Sequence, residues 1–195
     1  FSAVALHGDL EQRERERTLI RFSNKSASIL VATDVAARGL DINDMDMVVN
    51  YHLAHDPQTH VHRVGRTGRA GKKGIACSIY GEAEQFKVAQ IGDHYEKDFE
   101  PEPIPPFSLL EKPAYKPTMA TLMIDAGKKQ KIRAGDILGA LTGKEGVAGH
   151  QVGKINVLDN VAFIAVERAA VKPALRKLTE GNIKKRKIRA RRLTR

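Results

Sequence analysis

A cluster of prolines divides this chain of 195 residues near its middle. The segment EPEPIPPFSLLEKPAYKP, residues 100–117, holds six of the chain's eight prolines. Because proline lacks a backbone donor and has a fixed φ, no long helix or central strand can run through this segment. We therefore predict a linker at 100–117 between one domain at 1–99 and a second domain at 118–195.

The distribution of charge changes at the same place. Residues 118–195 hold 18 Lys and Arg against 6 Asp and Glu, whereas residues 1–117 hold 15 against 17. The net charge of +10 therefore comes from the second domain, a balance that is typical of proteins with a nucleic-acid partner. The alternative is a solvated basic surface or tail without a specific site.

Other features of the sequence bear on the cellular compartment of the protein. A single cysteine, Cys77, excludes an internal disulfide and indicates a reducing compartment, so we expect a cytoplasmic location. Cys77 lies in an apolar strand and is predicted to be inert core. No apolar run approaches a membrane span, and FSAVALHGDL is not a signal peptide. The chain opens on strand-like residues without an initial Met, and we predict a fragment that begins inside a domain.

Strands and helices alternate in the first domain, which predicts a mainly parallel α/β sheet. The expected strands are SAVALHG, the short buried strand ASILVAT, MDMVVNY and GIACSIY. The expected helices are LEQRERERTLIRFSN, with Asp9 as N-cap, DPQTHVHRVGR, with Asp56 as N-cap and Pro57 in its first turn, and EAEQFKVAQIGDHYEK.

Three short motifs follow one another in this domain. They are Q-x-x-R at Gln12 and Arg15, TDVAARGLD at residues 33–41, and HRVGRTGR at residues 62–69. The second motif follows the strand ILVAT, and ligands bind at the carboxyl ends of strands in open α/β sheets. Arg66 and Arg69 are three residues apart and can face one cleft. No G-x-x-x-x-G-K-[ST] phosphate loop accompanies them.

Together these motifs resemble the second RecA-like lobe of DEAD-box RNA helicases, over residues 1 to about 98. The resemblance implies RNA contacts from Arg15, Thr33, Arg38 and Gly39. It also implies an ATP site with Asp41 and Gly39 and two arginine fingers, Arg66 and Arg69. His62 and Arg63 would couple the nucleotide site to the RNA-binding loops. ATP and Mg²⁺ would be held mainly by a first lobe that this chain lacks. We therefore expect an RNA-dependent ATPase as a full-length protein and an inactive chain alone.

Simpler interpretations of the same residues remain open. The arginines of HRVGRTGR can form surface ion pairs with Asp41, Asp44 or Asp46. Four histidines have no metal-ligand spacing with cysteine and are expected on the surface or in packing: His7, His52, His55 and His60. A helicase of another class that acts on DNA is a further alternative.

The second domain is predicted to have the order βαββαβ, an RRM-like plan in which two helices cover one face of the sheet and leave the other open. In NVAFIAVE, strand alternation directs Ala162, Ile164 and Val166 to the helices and Phe163 to the open face. Met123 is expected on the same open face. Such a face is a platform for single-stranded RNA, although one aromatic gives little stacking.

Basic residues are expected to supply the remaining RNA affinity of the second domain. They lie in GKKQKIR and in the predicted final strand KKRKIRARRL, and they are Lys128, Lys129, Lys131, Arg133, Lys184, Lys185, Arg186, Lys187, Arg189, Arg191 and Arg192. If about seven of them meet phosphates, RNA affinity falls steeply with salt.

Residues 118–195 resemble the C-terminal RNA-binding domain of the DbpA group of bacterial DEAD-box helicases, through AGKKQKIRAGDILGALTG, VGKINV and the basic end. The resemblance implies hairpin 92 of 23S rRNA and pre-50S particles as partners, a role in assembly of the large ribosomal subunit, and a monomer without membrane association. Cold-shock helicases of the DeaD type, with other RNA targets, carry a similar module. An RNA-binding fragment without activity of its own is the third possibility.

Overall fold

The structure is a computed structural model that describes residues 1–37, 42, 45–68, 71 and 73–194. The chain forms two compact units, one of Phe1–Arg38 with Lys112–Arg195 and one of Gly39–Glu111. The first helix of the chain therefore belongs to the same compact unit as the C-terminal domain.

A parallel pair of strands begins the first unit. Strand β1 (Ala3–Leu6) pairs with β2 (Ile29–Ala32), and helix α1 (Gln12–Ser23) connects them. The parallel pairing is as predicted, but the N-cap of α1 is Glu11 rather than Asp9, and no side chain caps it. The prediction that β2 is buried is also wrong: Val31 is 61% exposed, on a sheet that has only two strands in the part of the chain that the structure describes.

The unit of Gly39–Glu111 has a second parallel pair, β3 (Met47–Asn50) with β4 (Ile75–Ser78). Helix α3 (Pro57–Val64) follows β3, and helix α4 (Gln85–Tyr95) follows β4. The short helix α2 (Asp34–Ala37) comes before β3 in the chain and belongs to the first unit. Helix α3 begins as predicted, with Pro57 in its first turn and the Asp56 carboxylate accepting from the Thr59 N–H at 2.8 Å.

Cys77 is exposed, so the prediction that it is inert core is wrong. It lies in β4, whose four residues are all exposed, because this sheet also has only two strands among the described residues. An apolar sequence predicted a strand correctly here but did not predict its burial.

The C-terminal domain forms a four-stranded antiparallel sheet with two helices. Its elements are β5 (Met119–Ile124), α5 (Ala134–Thr142), β6 (Val152–Val157), β7 (Ala162–Glu167), α6 (Val171–Glu180) and β8 (Ala190–Arg192). The strand order is β6-β7-β5-β8, so the predicted βαββαβ plan is confirmed. No helix among the described residues is long and apolar enough to cross a bilayer.

The final strand is shorter than predicted. Ile183 and Arg186 exchange backbone hydrogen bonds at 3.0 Å, and the two lysines between them have positive φ, 52° at Lys184 and 63° at Lys185. Because Ile183 and Ile188 are both buried in the core, the basic residues between them are turned outward in a tight turn instead of extending β8.

The face of the sheet that carries Leu122, Ile164 and Val166 packs against the two helices through Ile137 and Leu178, and all five side chains are almost completely buried. Burying such side chains stabilises a domain by about 1.5–3 kcal/mol each. The predicted orientation of β7 is confirmed, since Ala162, Ile164 and Val166 lie in this core.

The opposite face of the sheet is not open, contrary to prediction. Met123 and Phe163 lie on it as expected, but they are only 1% and 2% exposed because Ile20, near the end of α1, packs on them. A face with one aromatic and few charges is apolar enough to be covered by a helix. The two side chains are therefore not available for base stacking in this arrangement.

Buried polar groups accompany this contact between α1 and the sheet. The Asn24 amide donates to Thr121 Oγ1 at 3.3 Å and accepts from the Asn156 amide at 3.3 Å. Ser26 Oγ and Thr121 Oγ1 are 2.7 Å apart. Since Asn24 and Thr121 are both buried, these hydrogen bonds satisfy groups that would otherwise destabilise the contact.

Candidate nucleotide and RNA sites

The first two motifs meet within the first unit. Arg15 projects from α1 and donates from Nη2 to the Ala36 carbonyl at 2.6 Å, while the Thr33 hydroxyl accepts from the Ala36 N–H at 3.4 Å. Arg15 and Thr33 thus hold the short helix α2 from both sides. The predicted site residues Arg38, Gly39 and Asp41, which follow α2, lie outside the described residues.

In the second unit, Arg63 fixes the end of α3 to β3. Its Nη1 donates to Asn50 Oδ1 at 3.2 Å and to the His52 carbonyl at 2.7 Å, and the Asn50 amide donates to Ser78 Oγ at 3.1 Å. From the family resemblance, Arg63 is expected to couple the nucleotide site to the RNA-binding loops together with His62. In the structure Arg63 positions the end of α3, and only the folded chain brings its partners together.

The turn after α3 presents Arg66. The Met45 N–H donates to the Arg66 carbonyl at 3.2 Å, and the Thr67 hydroxyl donates to the Met45 carbonyl. Gly74 packs so closely on Thr67 that a Cβ there would overlap the hydroxyl, and Gly68 has a φ of 66°. These contacts fix the backbone that carries the half-buried Arg66, whereas Arg69 lies outside the described residues.

His62 lies on the exposed side of α3, next to an open groove of about 560 Å³. The residues that line this groove are Asp56, Pro57, Gln58, Val61, His62 and His94. The Thr59 N–H lowers the pKa of the Asp56 carboxyl, so this N-cap is a carboxylate at neutral pH.

His60, on the other side of α3, is a packing residue, as expected. It is buried and meets the Tyr95 ring edge-on, with ring centroids 6.1 Å apart. Burial lowers the pKa of His60, and the Arg63 charge lowers it further, so the ring is neutral at neutral pH.

The loop after β5 has a backbone that admits only glycine at one position. The Lys128 N–H donates to the Leu158 carbonyl at 2.8 Å and the Lys129 N–H donates to the Asp159 carbonyl at 2.9 Å. At Gly127, a Cβ would overlap the Leu158 carbonyl. The side chains of Lys128 and Lys129 consequently project from the fold as exposed cations.

Lys184 joins this loop to the basic turn. Its Nζ donates to the Lys131 carbonyl at 2.7 Å and lies 2.9 Å from Asp136 Oδ2, which also accepts from the Arg133 N–H at 2.8 Å. Lys184 foremost, and then this N–H, lower the pKa of the Asp136 carboxyl. Counted from the sequence as a phosphate contact, Lys184 is a positioning residue in the structure.

The result is one exposed group of cations, here called the basic loop surface. Its members are Lys128, Lys129, Lys131, Arg133 and Lys185. Lys187 and Arg189 are exposed beyond the turn, while Arg191 pairs with Asp125 Oδ2 at 2.8 Å. Such a surface can bind phosphates without contact to the bases.

Comparison with known protein families finds a match for each of the two domains. Residues 1–71 match the helicase conserved C-terminal domain, and residues 121–192 match the DbpA RNA binding domain. The chain thus joins a helicase C-terminal domain, which has two pairs of parallel strands, to an RNA-binding domain. The chain belongs to the DEAD-box family and is the C-terminal part of a DEAD-box helicase with a DbpA-type RNA-binding domain, as the motifs predicted.

The chain is 48% identical over 190 residues to the ATP-dependent RNA helicase DbpA of Escherichia coli (strain K12), across 97% of the chain and 41% of that protein. It is 33% identical over 183 residues to DbpA of Bacillus subtilis (strain 168), across 83% of the chain and 38% of that protein. A DEAD box protein from Methanococcus jannaschii aligns over 50% of the chain and 27% of its own, at 48% identity and a TM-score of 0.47. The chain spans about two fifths of these curated relatives.

Proposed function

We propose that the protein containing this chain is an ATP-dependent RNA helicase of the DEAD-box type that unwinds short RNA duplexes. The observation that supports it best is the joining of a helicase domain to a DbpA-type RNA-binding domain in one chain, at 48% identity to a helicase over 190 residues. In this proposal the helicase lobe contributes to ATP hydrolysis, and residues 118–195 direct it to RNA.

ATP, with Mg²⁺, supplies the phosphoryl group that is transferred to water. Arg66 and Arg69 offset the negative charge that develops on that group, for which a permanently charged, forked guanidinium is well suited. Asp41 accepts from the ribose hydroxyls beside Gly39, and His62 links this site to the RNA-binding segments. The side chains of His62, Arg66 and Arg69 are suited to phosphate oxygens rather than to a metal ion. In this proposal the Mg²⁺ would be held by a first lobe.

RNA binding is divided between the two domains. In the helicase lobe, Arg15, Thr33, Arg38 and Gly39 contact the RNA backbone. In the second domain, the basic loop surface with Lys187 and Arg189 binds the targeting RNA, since all of these residues are exposed cations. Met123 and Phe163 take no part while Ile20 covers them.

The target RNA in this proposal is hairpin 92 of 23S rRNA, in pre-50S particles, and the protein acts as a monomer in the cytoplasm during assembly of the large ribosomal subunit. The DbpA-type domain supports the target, and the single cysteine supports the compartment.

A binding competition at fixed salt tests the target. The chain is bound to a labelled 23S hairpin fragment and challenged with the same hairpin or with a hairpin of shuffled sequence. The native hairpin is expected to compete at a much lower concentration than the shuffled one. Equal competition would contradict the rRNA target and favour a helicase with another RNA target.

The role of the basic loop surface is tested by replacing Lys128, Lys129 and Lys131 with Gln. The slope of log affinity against log salt is expected to become shallower by about 3, since each lost phosphate contact removes about one unit. A triple replacement of the exposed Lys112, Lys154 and Lys172, which removes the same charge elsewhere, is the control. An unchanged slope in the first variant would place the RNA elsewhere.

A further inference from the structure

Asn50, the last residue of β3, is a buried polar residue that belongs to none of the three helicase motifs. It is only 3% exposed, although the other three residues of the strand are Met and Val. Burying an amide is unfavourable unless its donor and its acceptor both find partners. The partners of Asn50 therefore show what the residue is for.

The Asn50 amide connects three elements of the second compact unit. Its Oδ1 accepts from Arg63 Nη1 at 3.2 Å, and its Nδ2 donates to Ser78 Oγ at 3.1 Å. Because a guanidinium group only donates, the amide oxygen must face Arg63, which leaves the amide nitrogen for the Ser78 hydroxyl. Ser78 is the register partner of Asn50 on β4, so β3, β4 and α3 meet at this one side chain.

Arg63 extends this connection to Arg66. Its Nη1 also donates to the His52 carbonyl at 2.7 Å, and its own carbonyl accepts from the Arg66 N–H at 3.2 Å. Arg63 is thus bonded to the end of β3 through its side chain and to the following turn through its backbone. Where Arg66 starts from therefore depends on where Asn50 and His52 hold Arg63.

A separate anchor holds the other side of Arg66. The Arg66 carbonyl accepts from the Met45 N–H at 3.2 Å, and the Thr67 hydroxyl donates to the Met45 carbonyl. The two anchors have only Arg66 in common. Removing the Asn50 amide weakens one anchor and leaves the other, so the turn is expected to shift rather than to unfold.

We infer that Asn50 is a positioning residue for Arg66 in ATP hydrolysis. By holding Arg63, it sets the point from which the Arg66 guanidinium reaches the transferring phosphoryl group. The role of Asn50 rests on the proposed function, because it requires that Arg66 acts on ATP. A misplacement of about 1 Å in a group that acts in the transition state can lower a rate by about 100-fold.

The first test measures ATP turnover by the full-length protein with saturating RNA. Asn50→Leu has nearly the same size and removes both hydrogen bonds. It should lower kcat by about 10- to 100-fold and leave the KM for ATP nearly unchanged, since the misplaced charge acts in the transition state. In Asn50→Asp the carboxylate accepts from both Arg63 and Ser78, so this variant should restore most of the kcat.

Two control variants separate positioning from a loss of stability. Ile91→Ala truncates a buried residue of α4 in the same compact unit, and it should lower the melting temperature while keeping kcat within about 2-fold. Ser78→Ala keeps the Arg63 bond, and solvent can replace the exposed hydroxyl, so kcat should again stay within about 2-fold. An unchanged kcat in Asn50→Leu, or an equal loss in Ile91→Ala, overturns the inference.

The second test needs no ATP and uses the 195-residue chain. Hydrogen exchange of the Arg66 N–H, which is bonded to the Arg63 carbonyl, reports the anchor directly. Exchange should be about 10-fold faster in Asn50→Leu than in Ile91→Ala and should return to the original rate in Asn50→Asp. Equal exchange in Asn50→Leu and Ile91→Ala overturns the inference. If Asn50→Leu does not fold, Asn50→Ala takes its place in both tests, since water can fill the space of the amide.

The two tests also distinguish this inference from the proposed function. A full-length protein without RNA-stimulated ATPase activity would contradict the proposed function, while the exchange of the Arg66 N–H would still test the anchor. A full-length protein that hydrolyses ATP equally well with Asn50→Leu would contradict only the role of Asn50.

Discussion

At the scale of single residues, Gly127 determines how the loop after β5 runs. Its φ is extended, so the requirement is the close approach to the Leu158 carbonyl rather than an unusual dihedral. Gly127→Ala is expected to lower the free energy of unfolding by about 1–3 kcal/mol, as overpacking does in other proteins, and urea denaturation measures this. Gly135→Ala, in α5 with open space around its Cβ, is the control and should be neutral or stabilising by about 0.5–1 kcal/mol. Equal losses would contradict the steric explanation.

A second prediction at the residue scale concerns Arg66 and the rate of ATP hydrolysis. In the full-length protein, Arg66→Ala is expected to lower ATP turnover by about 10³-fold or more, because it removes a charge that acts on the transferring phosphoryl group. Steady-state ATPase assays with saturating RNA measure it, with the exposed Arg13→Ala as the control. RNA binding by residues 118–195 should stay nearly the same, and an equal loss of RNA affinity would contradict the assignment.

At the scale of elements, the ion pair of Asp136 and Lys184 connects the loop after β5 to the turn before β8. The pKa of Asp136 is lowered in the folded chain, so this stabilisation is present above the ordinary aspartate value of about 3.9 and is lost as pH falls through the lower folded value. Amide shifts of Lys131 and Arg133 should report the loss on acidification below about pH 4.

Asp136→Asn should disconnect the same two elements at neutral pH and remove the acid-dependent change in those shifts. Asp159→Asn, at an exposed aspartate in the turn between β6 and β7, is the control and should keep the change. If Asp136→Asn retains the acid transition, another group is responsible for it.

The contact of α1 with the sheet depends on Ile20. Ile20→Asp would place an unpaired carboxylate against Met123 and Phe163, which is unfavourable by several kcal/mol, and the helix should leave the sheet. The core on the other face should keep the domain folded. A shift of the Met123 methyl resonance toward its solvent-exposed value measures the release.

The control for this release is Ile104→Asp, the same substitution at a residue that is 82% exposed. It should leave the Met123 resonance in place. An unmoved resonance in Ile20→Asp would show that other contacts hold α1 on the sheet.

The elements also show how far the sequence predicts the fold. Alternation of apolar residues predicted the strands and the face that each residue of β7 occupies, because side-chain direction in a strand is a local property. It did not predict what covers a face. Val31 and Cys77 were expected in the interior and are exposed, whereas Phe163 was expected at an open face and is buried.

For the candidate sites too, the sequence predicted which residues take part but not the contacts that each residue makes. The motifs contained Arg15, Thr33 and Arg66, and the structure brings Arg15 and Thr33 together around α2. The roles of Arg63 and Lys184 could not be predicted, since their partners lie in other elements. In the sequence, Arg63 is one of several arginines in HRVGRTGR and Lys184 is one of several lysines in KKRK, so nothing local distinguishes either residue.

At the scale of the whole molecule, the 195-residue chain is expected to bind RNA without hydrolysing ATP. It has no G-x-x-x-x-G-K-[ST] phosphate loop, so the arginines of HRVGRTGR lack a held phosphate on which to act. Phosphate release with and without RNA measures this, and the full-length protein is the positive control. RNA-stimulated turnover by the chain alone would contradict the assignment of Arg66 and Arg69 to a shared site.

The sequence by itself determined the order of the elements, the family and the basic character of residues 118–195. These follow from local patterns: prolines that interrupt structure, periodicity, and motifs whose residues lie close together in the chain. Only the tertiary structure decided that α1 covers the sheet of the RNA-binding domain. The physical reason is that these contacts join segments far apart in the chain, such as Ser26 with Thr121, 95 positions away, and Asn24 with Asn156, 132 positions away. Their energies depend on which apolar and charged surfaces the fold leaves uncovered.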